Sequence, residues 1–108
     1  MHELGFLTAQ RAVTAAGTPE KIKEAPEWQD SKIVSITIRA NTGNAGVIYL
    51  SYELPTASAA FGYILAAGET FTLDLSDLID GYFDLSKIYI DASVNGDGIS
   101  YLAMGVLN

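Results

Sequence analysis

The sequence predicts an all-β protein, an antiparallel β-sandwich or jelly roll of about six to eight strands with at most one or two short helical turns. Three observations carry this expectation. Several short runs alternate apolar and polar residues, the period-two pattern of strands with one buried face. Gly, Asn, Asp and Pro recur between the runs, where turns need them. No stretch sustains a helical stripe of useful length.

The chain is organised around Lys32–Glu53. Val34, Ile36 and Ile38 alternate with Ser35, Thr37 and Arg39, and Ile48, Leu50 and Tyr52 alternate with Tyr49, Ser51 and Glu53. Between them lies Asn41-Thr42-Gly43-Asn44-Ala45-Gly46, whose two Gly and two Asn tolerate positive φ at low cost. The pattern reads as a β-hairpin with a loop of about six residues.

Before it, residues 1–17 read as an N-terminal arm with a weak strand, and 18–108 as a single β-sandwich domain. The arm carries Leu4, Phe6 and Leu7, an apolar group that either packs on its own domain or reaches a neighbouring subunit. Thr18-Pro19-Glu20 resembles a helix start, with Thr as N-cap and Pro at the first helical position. Pro26 disfavours a helical Ala25, so Pro19–Glu24 holds a turn or two or an irregular crossing. Trp28, the single Trp, reads either as a lid over one end of the core or as a ligand-stacking platform.

After it, Pro55 marks a strand end or edge, and Leu54–Gly62, which includes Phe61, reads as an exposed loop. Tyr63-Ile64-Leu65 leads into an Ala66–Glu69 turn. Thr70–Leu75 follows as a strand with Phe71, Leu73 and Leu75 inward. Ser76–Asp84 reads as a loop or a single helical turn. Ile88, Ile90 and Ala92 alternate with Tyr89 and Asp91 in another strand, and Asn95-Gly96-Asp97-Gly98 is a strong hairpin turn. The last strand, Ile99–Leu107, is apolar on both sides, so its faces stay unassigned. Tyr49, Tyr89 and Tyr101 are candidates for an outer face, suited to an inter-subunit contact or to sugar stacking.

Composition narrows the function classes. One domain of 108 residues buries roughly two-thirds of its unfolded surface. With no cysteine there is neither a disulfide framework nor a thiolate metal site. The net charge is −7, and all of it lies in residues 53–108, which hold eight acids and one base, Lys87. Such a chain is repelled by phosphates and anionic lipid, so neither nucleic acid nor membrane is expected as a partner. The acidic half serves solubility, or forms an outer face while the other half docks. No run reaches the roughly 18 apolar residues of a membrane span. The first ten residues lack a basic and an apolar signal region, so synthesis in a cytoplasm is expected.

Chemistry-bearing motifs are weak. The single His, His2, sits at the chain start, and no Ser/His/Asp set, Cys nucleophile or glycine-rich phosphate loop is present. Asp91–Gly96 imitates the opening of a calcium loop, but its twelfth position is Leu102 where the bidentate Glu belongs. Asp74, Asp77, Asp80 and Asp84 recur at three or four residues and read as a solvated face, with a carboxylate hydrolase as the weakest alternative. The expectation is a non-enzyme with no catalytic, cofactor-binding or metal-binding residues and no cofactor.

VTAAGTPEKI, KIVSITIRANTGNAGVIYLSY, LAAGETFTLDL and SKIYIDASVNGDGISYL, in that order, resemble small virion-associated proteins of tailed bacteriophages. Leu65-Ala66-Ala67-Gly68-Glu69 is the most recognisable piece, and the match runs from Val13 to Leu102. The apolar start Met1–Leu7 and the Leu54–Gly62 loop depart from the pattern. The resemblance implies a β-sandwich that decorates a phage head, binds the major capsid protein and forms a homo-oligomer, a trimer being favoured. It implies a virion location, with a tail or fibre protein or a carbohydrate-binding module as the alternative. Leu4, Phe6, Leu7, Arg39, Tyr49 and Phe61 are the interface candidates, together with the Asn41–Gly46 loop.

Overall fold

A computed structural model describes residues 4–23, 32–53, 57, 62–75 and 82–106. Its strands are β1 (Leu4–Ala12), β2 (Glu20–Lys21), β3 (Ile33–Ala40), β4 (Ile48–Tyr52), β5 (Tyr63–Leu65), β6 (Thr70–Asp74), β7 (Ile88–Ala92) and β8 (Gly98–Val106). They form two four-stranded antiparallel sheets, ordered β1-β8-β3-β6 and β2-β7-β4-β5. A 3₁₀ turn, Leu85–Lys87, precedes β7. The all-β, antiparallel sandwich expected from the alternation is the fold.

The pairing is nested. β4 pairs with β5, β3 with β6, β2 with β7 and β1 with β8. The chain thus doubles back about the β4–β5 connection as one long antiparallel ribbon. Two further pairings, β3 with β8 and β4 with β7, roll that ribbon into two sheets. The result is an eight-stranded jelly roll, which turns one apolar face of each sheet toward the other.

Lys32–Glu53 is therefore not a hairpin. Its two runs become β3 and β4, which lie in different sheets. Alternation fixes which side of a strand is apolar, but not which strand it pairs with. Its inward residues are placed as expected: Ile36, Ile38, Ile48 and Leu50 join one core cluster from the two sheets, and Val34 is buried. Asn95–Gly98 likewise joins strands of opposite sheets, β7 and β8. Of the described strands consecutive in sequence, β4 and β5 alone pair.

The helix start expected at Thr18–Glu20 is instead the approach to β2, which pairs Glu20 with Ile90 and Lys21 with Tyr89. Ile22 explains the outcome. It is 2% exposed and its N–H donates to the Ile88 carbonyl at 2.8 Å. Fully burying an Ile is worth about 1.5–3 kcal/mol, more than the local propensity of so short a segment. Upstream, Leu4–Ala12 is a nine-residue strand paired along its whole length with β8 of its own chain.

The faces of β8 are settled by its position between β1 and β3. Ile99, Tyr101 and Ala103 are buried, while Leu102 is 45% exposed. Tyr101 is therefore a core residue and not a member of an outer aromatic face. Ile33, Ile90, Ile99 and Leu85 are fully enclosed and complete the centre of the core.

Candidate interaction surfaces

At one end of the sandwich three loops are stitched together by side chains that act as backbone. Both Asp97 carboxylate oxygens accept from the Asn41–Gly46 arch, Oδ1 from the Ala45 N–H at 3.0 Å and Oδ2 from the Gly46 N–H at 2.8 Å. Asn44 Nδ2 donates to the Gly98 carbonyl and Gly98 N–H donates to Asn44 Oδ1, each at 2.9 Å. Asp91, 3% exposed, accepts from the N–H groups of Gly17 and Ala92 through Oδ1. Asn95 Oδ1 accepts from the Ala16 N–H at 2.7 Å. The residues that imitate a calcium loop thus spend these oxygens on the Ala16–Gly17 turn. Buried carboxylates that replace water by N–H donors fix loop shape, because any alternative leaves groups unpaired.

Close approach is the second reason for this loop end. A Cβ on Gly46 would collide with Ser93 Oγ, and one on Gly98 would lie 2.6 Å from the Arg11 carbonyl oxygen. Thr42, Gly43 and Ala45 remain exposed at the arch tip. They are held in place by the pinned residues around them.

The outer face of the first sheet is rich in hydroxyls. Thr8, Leu102, Thr37 and Thr72 lie in one row across β1, β8, β3 and β6, with Thr37 and Thr72 hydroxyls 3.3 Å apart. The next row is Gln10, Ser100, Arg39 and Thr70. Arg39 is exposed and borders a shallow depression of about 290 Å³ with Gln10, Asn41, Thr42 and Ser100. Leu4, Phe6 and Leu7 sit on β1 opposite Val106, Met104 and Ala103. These three and Arg39 thus share one sheet. Tyr49 lies in the other, half-buried on β4 between Ile64 and Asp91 in register. Phe61 and Trp28 lie outside the described residues, as do His2, Asp77 and Asp80.

β1 stands out among the sheet edges. It is nine residues long, whereas the other edge strands, β6, β5 and β2, have five, three and two. Its sequence LGFLTAQRA holds one charge, Arg11, and no Pro. Arg11 is turned to its own chain: Nη2 meets Glu20 Oε1 at 2.9 Å and Nε donates to the Lys21 carbonyl at 3.1 Å. The usual guards of a free edge, Lys, Pro or a bulge, are thus missing from most of β1.

A feature that sequence reasoning missed lies between β5 and β6. Inward positions on central strands are closed, yet Phe71 and Leu73 on β6 are only half-buried and Tyr63 on β5 is 57% exposed. These two edge strands belong to different sheets, so no ladder closes the gap. Tyr63 and Phe71 meet there as tilted rings 5.3 Å apart. Behind them is a cavity of about 230 Å³. Nothing in the alternation of Thr70–Leu75 distinguishes it from a fully covered strand.

No protein-family model and no curated protein sequence matches the chain. Among solved structures, a subunit of the Bacillus endospore appendages, described as a novel family of disulfide-linked pili, superposes with a TM-score of 0.52 at 18% identity. The likeness spans 100% of this chain and 92% of that one, and it is a likeness of fold.

Proposed function

We propose that this chain is a structural, non-enzymatic subunit that assembles into a larger protein structure outside the cell or on a particle, with the β1 edge as its joining surface. The observation that carries the reading is the long, nearly uncharged edge of β1. Such an edge offers unpaired N–H and C=O groups to another strand, and a protein that stays monomeric guards it. A second copy of this chain is the partner that fits. The rigid loop end and the fold shared with a pilus subunit support the reading. That subunit's pili are disulfide-linked, whereas these 108 residues contain no cysteine, so an assembly built from them is held by non-covalent contact.

The narrower setting is a phage virion, in which the chain decorates the head, binds the major capsid protein as a trimer and stabilises the shell by clamping. Its support is the sequence resemblance, above all Leu65–Glu69, which forms the expected turn with Gly68 at φ 82° and the Glu69 N–H on the Ala66 carbonyl. Sedimentation tests both settings. The purified chain is expected to form species heavier than a monomer as its concentration rises, and Thr8→Lys with Gln10→Lys to suppress them. Pelleting with undecorated capsids separates the virion setting from self-assembly. A chain that stays monomeric at all concentrations and pellets with no shell sinks the reading.

A further inference from the structure

The opening between β5 and β6 lies at the side of the first sheet opposite to the β1 edge. Its walls come from both sheets: Ile36, Ile38, Phe71 and Leu73 from the first, Leu50 and Ile88 from the second. The polar atoms near it are few. The Tyr52 hydroxyl accepts from the Asp84 N–H at 2.9 Å, so the chain takes up one of its hydrogen-bonding positions. No Lys or Arg is among the described lining residues. A water molecule needs two to four polar partners, and a cavity lined by aliphatic and aromatic groups leaves it without them.

Size then selects the guest. A cavity of about 150 Å³ lined by Leu, Ile and Phe takes up benzene. This one is about 230 Å³, room for a second fused ring but not for a long acyl chain. With no base on the described wall, a fatty acid's carboxylate has no partner. Tyr63 and Phe71, 5.3 Å apart at the rim, offer ring faces and edges to a flat guest. They stand on two edge strands, each paired on one side only, where local opening is cheapest. We infer that the gap between β5 and β6 binds a neutral, flat aromatic molecule of one or two rings, entering past Tyr63.

The test is a methyl-detected NMR titration of the full chain with naphthalene, with xenon as a second probe. The methyls of Ile36, Ile38, Leu50, Leu73 and Ile88 are expected to shift along one saturating curve, while those of Ile99 and Ile33 stay still. Naphthalene is expected to displace xenon from the same site. Leu73→Phe, which fills the cavity, is expected to weaken naphthalene by at least about tenfold, about 1.4 kcal/mol. Xenon displacement on the unaltered chain carries the test if that variant does not fold. Three outcomes overturn the inference: shifts that rise without saturation and include exposed Leu102 and Val94; xenon that naphthalene does not displace; or naphthalene occupancy that falls as protein concentration rises, the mark of a second copy's side chain in the gap.

Discussion

Asn44 and Gly98 bind each other in both directions, amide to backbone, at 2.9 Å each way. The Asn44 side chain thus extends the β3–β8 ladder past Ala40 and Ile99 as if it were one more residue of the neighbouring strand. Gly98 is buried, so its N–H has no ready water to turn to. Asn44→Ala is expected to cost about 2 kcal/mol in urea unfolding, the penalty of a stranded buried donor plus the lost bonds. Asn44→Asp, which keeps an acceptor for Gly98 N–H but sets a second carboxylate beside Asp97, is expected to cost at least as much. Midpoints unchanged by both variants contradict the arrangement.

Asp97 holds the other half of the arch. Its two oxygens serve two different N–H groups, so Asp97→Ala strands both while Asp97→Asn keeps one acceptor. Losses of about 3 kcal/mol and about 1.5 kcal/mol are expected. Thermal or urea melts check the order, and an Asn variant as damaging as the Ala variant argues against the two-oxygen geometry.

Gly46 and Gly98 separate two kinds of crowding. The atom in the way at Gly46 is a side-chain hydroxyl, Ser93 Oγ, and at Gly98 it is a backbone carbonyl, that of Arg11. Gly46→Ala and Gly98→Ala are each expected to destabilise by about 1–3 kcal/mol. Adding Ser93→Gly to Gly46→Ala removes the obstacle and is expected to recover part of the loss, a coupling that a double-mutant cycle measures. The same Ser93→Gly change leaves the Gly98→Ala loss as it was.

The faces of β8 give a direct contrast in stability. Ile99→Ala, in the core, is expected to cost about 2–5 kcal/mol. Leu102→Ala, on the outer face at 45% exposure, is expected to stay within about 0.5 kcal/mol. Equal losses at the two positions mean that the strand is turned or that its outer face is covered.

Much of the fold was legible because burial leaves a period in sequence. Val34, Ile36 and Ile38, then Ile48 and Leu50, then Phe71 and Leu73, announce their strands and their inward sides. Pairing left no such trace. β3 and β4 look like a hairpin because the Asn41–Gly46 bridge has turn chemistry, yet that chemistry serves an arch between sheets, held by Asp97 and Asn44 from far along the chain. The two-residue β2 was hidden behind Thr18-Pro19, whose helix-start pattern is outweighed by the burial of Ile22. At the candidate surfaces, Leu4, Phe6 and Leu7 singled out the N-terminal arm as apolar, but only topology makes it the edge strand β1. The β5–β6 gap depends on two strands remote in pairing, so no local pattern encodes it.

Amide hydrogen exchange, compared between dilute and sedimented protein, is the measurement closest to the central claim. If the β1 edge joins subunits, amides within Leu4–Gln10 that exchange readily in the dilute chain gain protection in the sedimented form, and Thr8→Lys with Gln10→Lys abolishes that gain. Sedimented protein whose new protection falls elsewhere, with β1 exchanging as it does when dilute, contradicts the account.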